Sequence, residues 1–294
     1  MSRDAAFPPY RQVGIAGVGL IGGSVALAIR DRWPNSTVIG CDREEVLHEA
    51  LTRDVIHEGY TRVEELRRVD LLVLATPVQQ NLECLRRLSA RVTQPIVVTD
   101  VGSTKREIVA LAKGMSAALR FVAGHPLAGG EHGGMAHARP DLFRGRPWVL
   151  TPTETTDAAA LAGLTHFVRE TGAEPRLLDP AVHDRLMAYV SHLPQLTAST
   201  LMQVIGDAVG ASGLTLSGAG LADTTRLAAS PSNIWTEICQ SNNDHLGEAL
   251  DELISMLQYA RAHLADSGSL ARFLDAGRTW RETLIRRADA DTFV

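Results

Sequence analysis

Val13-Gly14-Ile15-Ala16-Gly17-Val18-Gly19-Leu20-Ile21-Gly22-Gly23-Ser24 decides how this chain is read. An apolar run leads into glycines spaced GxGxxG, and the apolar segment 25–29 that follows has the character of a helix. A second apolar run, Thr37-Val38-Ile39-Gly40-Cys41, ends at Asp42, about 20 residues beyond the third glycine. A glycine-rich turn alone means little. A strand before it, a helix after it, a second strand and an acid at that strand's end together form a dinucleotide-binding βαβ pattern. Gly17 permits the tight turn, Gly19 lets a pyrophosphate approach the backbone, and Gly22 lets helix and strand pack closely. The helix start, with Leu20 and Ile21 in its first turn, offers N–H groups and a positive dipole end to the phosphates. Asp42 suits a ribose diol and repels a 2′-phosphate, which favours NAD. Arg43 beside it can hold a 2′-phosphate, so NADP is not excluded.

At 294 residues the chain is suited to two domains, and 45% hydrophobic residues argue for a folded globular protein. A net charge of −5 gives no electrostatic case for nucleic acid. No apolar run approaches the ~20 residues of a membrane span, and the first residues carry no signal-peptide pattern. Cys41, Cys84 and Cys239 are scattered and read as small hydrophobes rather than a disulfide framework or nucleophiles. These features point to a cytoplasmic enzyme. The only lysines are Lys105 and Lys113, which limits where lysine chemistry could occur.

Outward from the glycine loop, 43–54 reads as a helix and 70–75 as a buried parallel strand stopped by Thr76-Pro77. That turn lies at a strand's carboxyl end, where open α/β sheets bind ligands, so Thr76 and Pro77 are expected to line the dinucleotide. The next strand, 95–100, runs into Val101-Gly102-Ser103-Thr104-Lys105. Ser103 is expected either as the N-cap of the following helix or as a hydrogen-bonding residue of the site. A strand at 120–124 ends in His125 and a loop with glycines at 129, 130, 133 and 134. A histidine there is a good general-base candidate. Further strands are expected at 146–152 and 174–178, with a helix at 155–171 between them.

From Pro180 onward the pattern is helical, which places the boundary between a dinucleotide-binding domain, 1–179, and an all-helical domain, 180–294. Pro194 should kink a helix spanning 181–205 beside Ser191-His192. Arg226, in a short helix among small and apolar residues, calls for an anion, either Asp223 or a bound carboxylate. The stripe Ile238, Leu246, Leu250, Leu253, Ile254, Leu257 and Leu264 reads as packing or a dimer seam, and 270–284 as a last helix.

Taken together, GVGLIGGS at 17–24, DVGSTK at 100–105, GHPLAGGE at 124–131, SHLP at 191–194 and GLADTTRLAASPSNIW at 220–235 resemble the prephenate/arogenate dehydrogenase family of tyrosine biosynthesis. The resemblance extends over both domains. It implies a Rossmann-type domain followed by a helical substrate and dimerisation domain, and a homodimer. The implied reaction is NAD-dependent oxidative decarboxylation of prephenate to 4-hydroxyphenylpyruvate, or of arogenate to tyrosine. By the same resemblance His125 takes the C4 hydroxyl proton and Ser103 helps hold that hydroxyl. Arg226 binds a substrate carboxylate, His192 is a second substrate-binding residue, and Glu131 and Trp235 line the pocket. No metal is implied. The chain leaves little room for a fused mutase domain before residue 12 or a regulatory domain after residue 264, so a monofunctional enzyme without tyrosine feedback is expected. A β-hydroxyacid dehydrogenase would need a lysine in the helical domain, where none follows Lys113. A silent dinucleotide sensor would not need His125, His192 and Arg226 together.

Overall fold

The computed structural model describes residues 9–66, 68–130 and 132–292, the last six of these by backbone only. The chain divides into two compact units, Met1–Asn243 and Asp244–Val294. The first unit carries strands β1 (Gln12–Ala16), β2 (Thr37–Cys41), β3 (Glu58–Tyr60), β4 (Leu71–Leu74), β5 (Ile96–Asp100), β6 (Leu119–Pro126), β7 (Pro147–Thr151) and β8 (Glu174–Leu177). They form one sheet in the order β3-β2-β1-β4-β5-β6-β7-β8. All neighbours are parallel except β6 and β7, where His125 pairs with Val149. This is the Rossmann-type plan that the sequence implied, with one strand, β3, that it did not suggest.

Side-chain alternation explains why the sheet is buried on both faces. Leu71 and Val73 of β4 belong to one core cluster, together with Ile15, Ile29, Trp148 and Phe167. Leu72 and Leu74 belong to the other, with Leu82, Leu85, Leu88 and Ile108. Helices supply the cover: α1 (Leu20–Arg32), α2 (Glu44–Thr52), α3 (Val78–Ser89), α4 (Arg106–Ala112) and α5 (Ala158–Glu170). A strand with every residue buried needs layers on both sides, hence a continuous apolar run rather than an alternating one. Cys41 lies in this core, and burial pushes its thiol pKa up to about 12, which fits a small hydrophobe rather than a nucleophile.

Beyond β8 the chain is helical. Asp179 caps α6 (Pro180–Met187) by accepting from the N–H groups of Ala181 and Val182. A single π turn, Ala188–His192, joins α6 to α7 (Leu193–Leu214). Pro194 sits in the first turn of α7. Its missing N–H and bulky ring forbid a regular helical bond back to residue 190, and the widened turn absorbs the mismatch. The kink expected at Ser191-His192 is therefore a π turn, and the helix runs on past 205. Helices α8 (Ala219–Thr225) and α9 (Ser232–Ser241) follow. The second unit consists of α10 (Asn243–Ala262) and α11 (Ser267–Thr292). Among the described residues no helix is long and apolar enough to cross a membrane.

The glycine loop is the tightest point of the first unit. A Cβ at Gly22 would lie 1.9 Å from the Gly17 carbonyl oxygen, whereas one at Gly19 would meet nothing within 4 Å. Gly22→Ala should therefore cost about 1–3 kcal/mol of stability and lower the melting temperature. Gly19→Ala should melt like the parent. Equal melting temperatures for the two variants would contradict this packing.

Candidate active site

The sheet's topology brings the ends of β1, β2 and β4 together. Gly17 has φ +92°, and a Cβ there would fall 2.5 Å from the Ala75 carbonyl oxygen, so only glycine fits where the loop passes the end of β4. Gly17 and Gly22 are thus demanded by the protein's own packing, while Gly19 faces open space at the N-terminus of α1. That pairing of open space with helix N–H groups is what a pyrophosphate needs. Leu20 and Ile21, in the first turn, are half-buried.

Asp42 closes the cradle. Its Oδ2 accepts from the Val18 N–H at 2.7 Å and its Oδ1 from the Arg43 N–H at 2.8 Å. Each oxygen keeps acceptor capacity for a ribose hydroxyl. The Arg43 guanidinium lies 4.0 Å from this carboxylate and is 82% exposed. On the β4 side, the Thr76 N–H and hydroxyl both donate to Asn81 Oδ1, at 3.0 and 2.6 Å, which fixes the turn beside exposed Pro77.

A buried ion pair underlies the next strand end. Asp100 accepts from Lys105 Nζ, from Gly102 N–H at 2.9 Å and from Gly124 N–H at 3.1 Å. Lys105 Nζ also donates to the Gly124 carbonyl at 2.7 Å. Both side chains are sealed from solvent. Burial pulls the Lys105 pKa down, and the Asp100 charge works against that shift. Buried charges are tolerable when paired and supported by further hydrogen bonds, as here. The pair grips both polar groups of Gly124 and so fixes the backbone that presents His125.

His125 Nδ1 lies 2.9 Å from His183 Nε2, and His183 Nδ1 lies 2.7 Å from Asp184 Oδ1. The Asp184 carboxylate also accepts from the Lys105 N–H at 2.7 Å, the Arg106 N–H at 2.9 Å and Arg106 Nε at 3.3 Å. Burial would raise its pKa, but the hydrogen bonds from His183, Arg106 and Lys105 prevail and hold it below the usual carboxylate value. Burial, then the charges of His183, Lys105 and His192, hold the His125 pKa well below that of a free imidazole. His125 is therefore neutral near pH 7, the state in which an imidazole can accept a proton.

His192, at the end of the π turn, has its Nδ1 3.2 Å from Asn242 Nδ2. Asn242 donates to the Asp184 carbonyl at 2.7 Å and accepts from Arg106 Nη2 at 3.2 Å. Trp235, on α9, stands edge-on to the His192 ring, centroids 6.1 Å apart. Arg226 opens a 3₁₀ turn, Arg226–Ala229, and Gln195 of α7 pins that turn by donating to the Leu227 carbonyl at 2.8 Å.

Most residues singled out from the sequence thus gather at the carboxyl edge of the sheet and the π turn facing it. Ser103 is not a helix cap: α4 begins at Arg106, with Lys105 at the cap position. The chain needs residues 101–105 to carry Lys105 back under Asp100, so the helix starts later than the serine suggested. Ser103 is half-buried in that loop. Glu131 lies outside the described residues. His183, Asp184, Asn242, Asn81 and Gln195 were not singled out in the sequence. The one available signal was His183-Asp184 on the same helical face as buried Met187 and Ala188, a polar pair where the pattern wants apolar residues.

The neutral histidines link stability to pH. Burial lowers the His192 pKa to about 4, against an opposing pull from Asp184 and with a smaller push in the same direction from His183. Between about pH 6.5 and 4 the unfolded chain binds protons that folded His192 refuses, so stability falls as pH drops through that window. The loss over the whole window is about 3 kcal/mol. Urea denaturation at about pH 7 and pH 5 should show a smaller difference for His192→Gln than for the parent. Equal differences would contradict a neutral, buried His192.

The sequence matches two family models in succession: the prephenate dehydrogenase nucleotide-binding domain over residues 25–177, and the prephenate dehydrogenase dimerization domain over residues 179–275. The prephenate dehydrogenase of Bacillus subtilis is 31% identical over 281 residues, covering 93% of this chain and 76% of that protein. The prephenate dehydrogenase of Aquifex aeolicus, solved in complex with hydroxyphenyl propionate and NAD+, superposes with a TM-score of 0.87 at 28% identity, over 93% of this chain and 98% of that one. Arogenate dehydrogenase of Synechocystis gives 0.79 at 28% identity, over 93% and 99%. Two adjoining domain models, a glycine cradle at the carboxyl end of β1 and a neutral histidine near the end of β6 lead to one conclusion: the chain belongs to the prephenate dehydrogenase family.

Proposed function

We propose that this protein is an NAD-dependent prephenate dehydrogenase, converting prephenate to 4-hydroxyphenylpyruvate. The observation that carries the reading is the neutral His125 ring, bonded to His183, on a backbone that Asp100 and Lys105 fix through Gly124 at the same carboxyl edge of the sheet as the dinucleotide cradle. The open space at Gly19 and the acceptor atoms of Asp42 fit NAD. The exposed Arg43 weighs little for a 2′-phosphate. Gly17, Gly19, Leu20, Ile21, Gly22, Asp42, Thr76 and Pro77 form the cofactor face in this reading.

When bound, the nicotinamide supplies the hydride acceptor. His125 withdraws the C4 hydroxyl proton as the C4–H bond breaks, and Ser103 helps hold that hydroxyl. The resulting dienone draws the electrons of the ring carboxylate's C–C bond, so CO₂ leaves and the ring becomes a phenolate. His125 returns its proton to that oxygen, and no net proton is consumed. Arg226 binds a substrate carboxylate, with His192, Trp235 and Glu131 completing the pocket. Orientation by such contacts supplies much of the rate gain. Arogenate differs only in carrying an amine on the side chain, and it is the alternative substrate of the same site.

The helical domain, taken as residues 180–294, also serves dimerisation in this proposal. The stripe named from the sequence divides: Ile238 and Leu246 are buried, while Ile254, Leu257 and Leu264 are exposed, as are Leu274, Trp280 and Leu284 on α11. Such apolar exposure is expected of a face covered by a second copy. The setting is cytoplasmic.

Adding prephenate and NAD⁺ should yield NADH and CO₂ in equal amounts. His125→Asn should bind NAD normally and lose about 10²–10⁴-fold in kcat. Arg226→Ala should mainly raise KM, by about 1.5–3 kcal/mol in binding. Full turnover by the first variant would refute the base, and an unchanged KM in the second would refute the clamp.

A further inference from the structure

We infer that His183, Asp184 and Asn242 are positioning residues that impose opposite tautomers on His125 and His192, leaving a lone pair on His125 Nε2 and a proton on His192 Nε2. The inference rests on the proposed site but concerns groups with no part in its chemistry.

The assignment follows the hydrogen bonds outward from Asp184. An ionised carboxylate can only accept, and Asp184 already takes the backbone N–H groups of Lys105 and Arg106. His183 Nδ1, 2.7 Å from Oδ1, must therefore carry a proton. In the neutral form of that ring His183 Nε2 is then an acceptor. His125 Nδ1, 2.9 Å away, must donate to it. The His125 proton is thus spent on Nδ1, and Nε2, without a partner among the described residues, keeps its lone pair.

At His192 the same logic runs the other way. The Asn242 amide cannot flip: its Oδ1 accepts from Arg106 Nη2 at 3.2 Å, and its Nδ2 donates to the Asp184 carbonyl at 2.7 Å. The second Nδ2 hydrogen faces His192 Nδ1 at 3.2 Å, so that nitrogen must accept. The His192 proton sits on Nε2, which donates. One buried residue sets both rings: Asp184 through its side chain for His125, and through its backbone carbonyl for His192. The site then offers the substrate one proton acceptor and one neutral donor, from two copies of the same side chain. Among the described residues, the charged and titratable groups around His125 are His183 and Asp184 from α6, Asp100 from the end of β5, Lys105 from the start of α4, and His192 from the π turn. None of them offers His125 Nδ1 a proton while His183 holds a single one.

The test is long-range ¹H–¹⁵N correlation on ¹⁵N-histidine-labelled full-length protein without ligands, at about pH 8, above the usual imidazole range. Resonances are assigned by loss in His125→Gln and His192→Gln. The expected spectrum has Nδ1 protonated and Nε2 unprotonated in His125, with the reverse in His192. The same tautomer in both rings, or the two reversed, would overturn the inference whatever the turnover. Asn242→Asp replaces the donor with an acceptor. His192 should then move its proton to Nδ1, with KM for prephenate up about tenfold, kcat within about threefold, and the His125 resonances unmoved. An unmoved His192 resonance in that variant also overturns the inference. The base reading fails separately: if His125→Asn retains full turnover while the parent spectrum is as stated, the tautomer assignment stands without it.

Discussion

One carboxylate holds the site together. Asp184 lies fully buried on α6 and receives two backbone N–H groups from the start of α4, the Arg106 side chain and His183. Desolvating a carboxylate is costly, and only a complete set of donors makes it tolerable. That requirement docks α6 onto the loop after β5, so the first helical segment past the sheet is tied to the sheet's carboxyl edge. His183 and Asn242 take their orientations from the same residue. Packing of apolar faces could bring α6 and α4 together in several registers. A charged group with fixed donors accepts only one.

A second buried charge works beside it. Asp100 and Lys105 hold the N–H and carbonyl of Gly124 between them, where a side chain at 124 would strike the Asp100 backbone 2.8 Å away. His125 is therefore supported twice, through its backbone by this pair and through its ring by His183. Both supports start from the 100–106 segment. The Asp-Val-Gly-Ser-Thr-Lys run is best understood as a bracket that returns Lys105 to Asp100, which accounts for the absence of a serine cap there. Rigid support matters because a proton acceptor misplaced by about 1 Å loses much of its effect.

How much of this could be read in the sequence follows from the range of the forces involved. The glycine loop, the buried parallel strands and Pro194 act over a few residues and left clear marks. The residues at 17, 19 and 22 fall into the packing roles that their spacing implied, two crowded and one open. Strand β3 left no mark because three residues, Glu58, Gly59 and Tyr60, are too few to show a period. His183, Asp184 and Asn242 were missed for a different reason. Apart from the bond between His183 and Asp184, their partners lie 50 to 136 residues away, and the local pattern offers only a polar pair on an apolar helical face, which does not say what the pair bonds. The local pattern singled out His125, His192 and Arg226, and the resemblance in sequence gave them roles. It gave no account of what holds them.

In the proposed reaction, hydride leaves C4 of prephenate directly for the dinucleotide while His125 takes the hydroxyl proton. Single turnover of prephenate deuterated at C4, with NAD⁺, measures it most directly. Deuterium should be retained at the nicotinamide C4 of the NADH formed, with one CO₂ released per NADH. Deuterium appearing in solvent water, or NADH formed without CO₂, would contradict it.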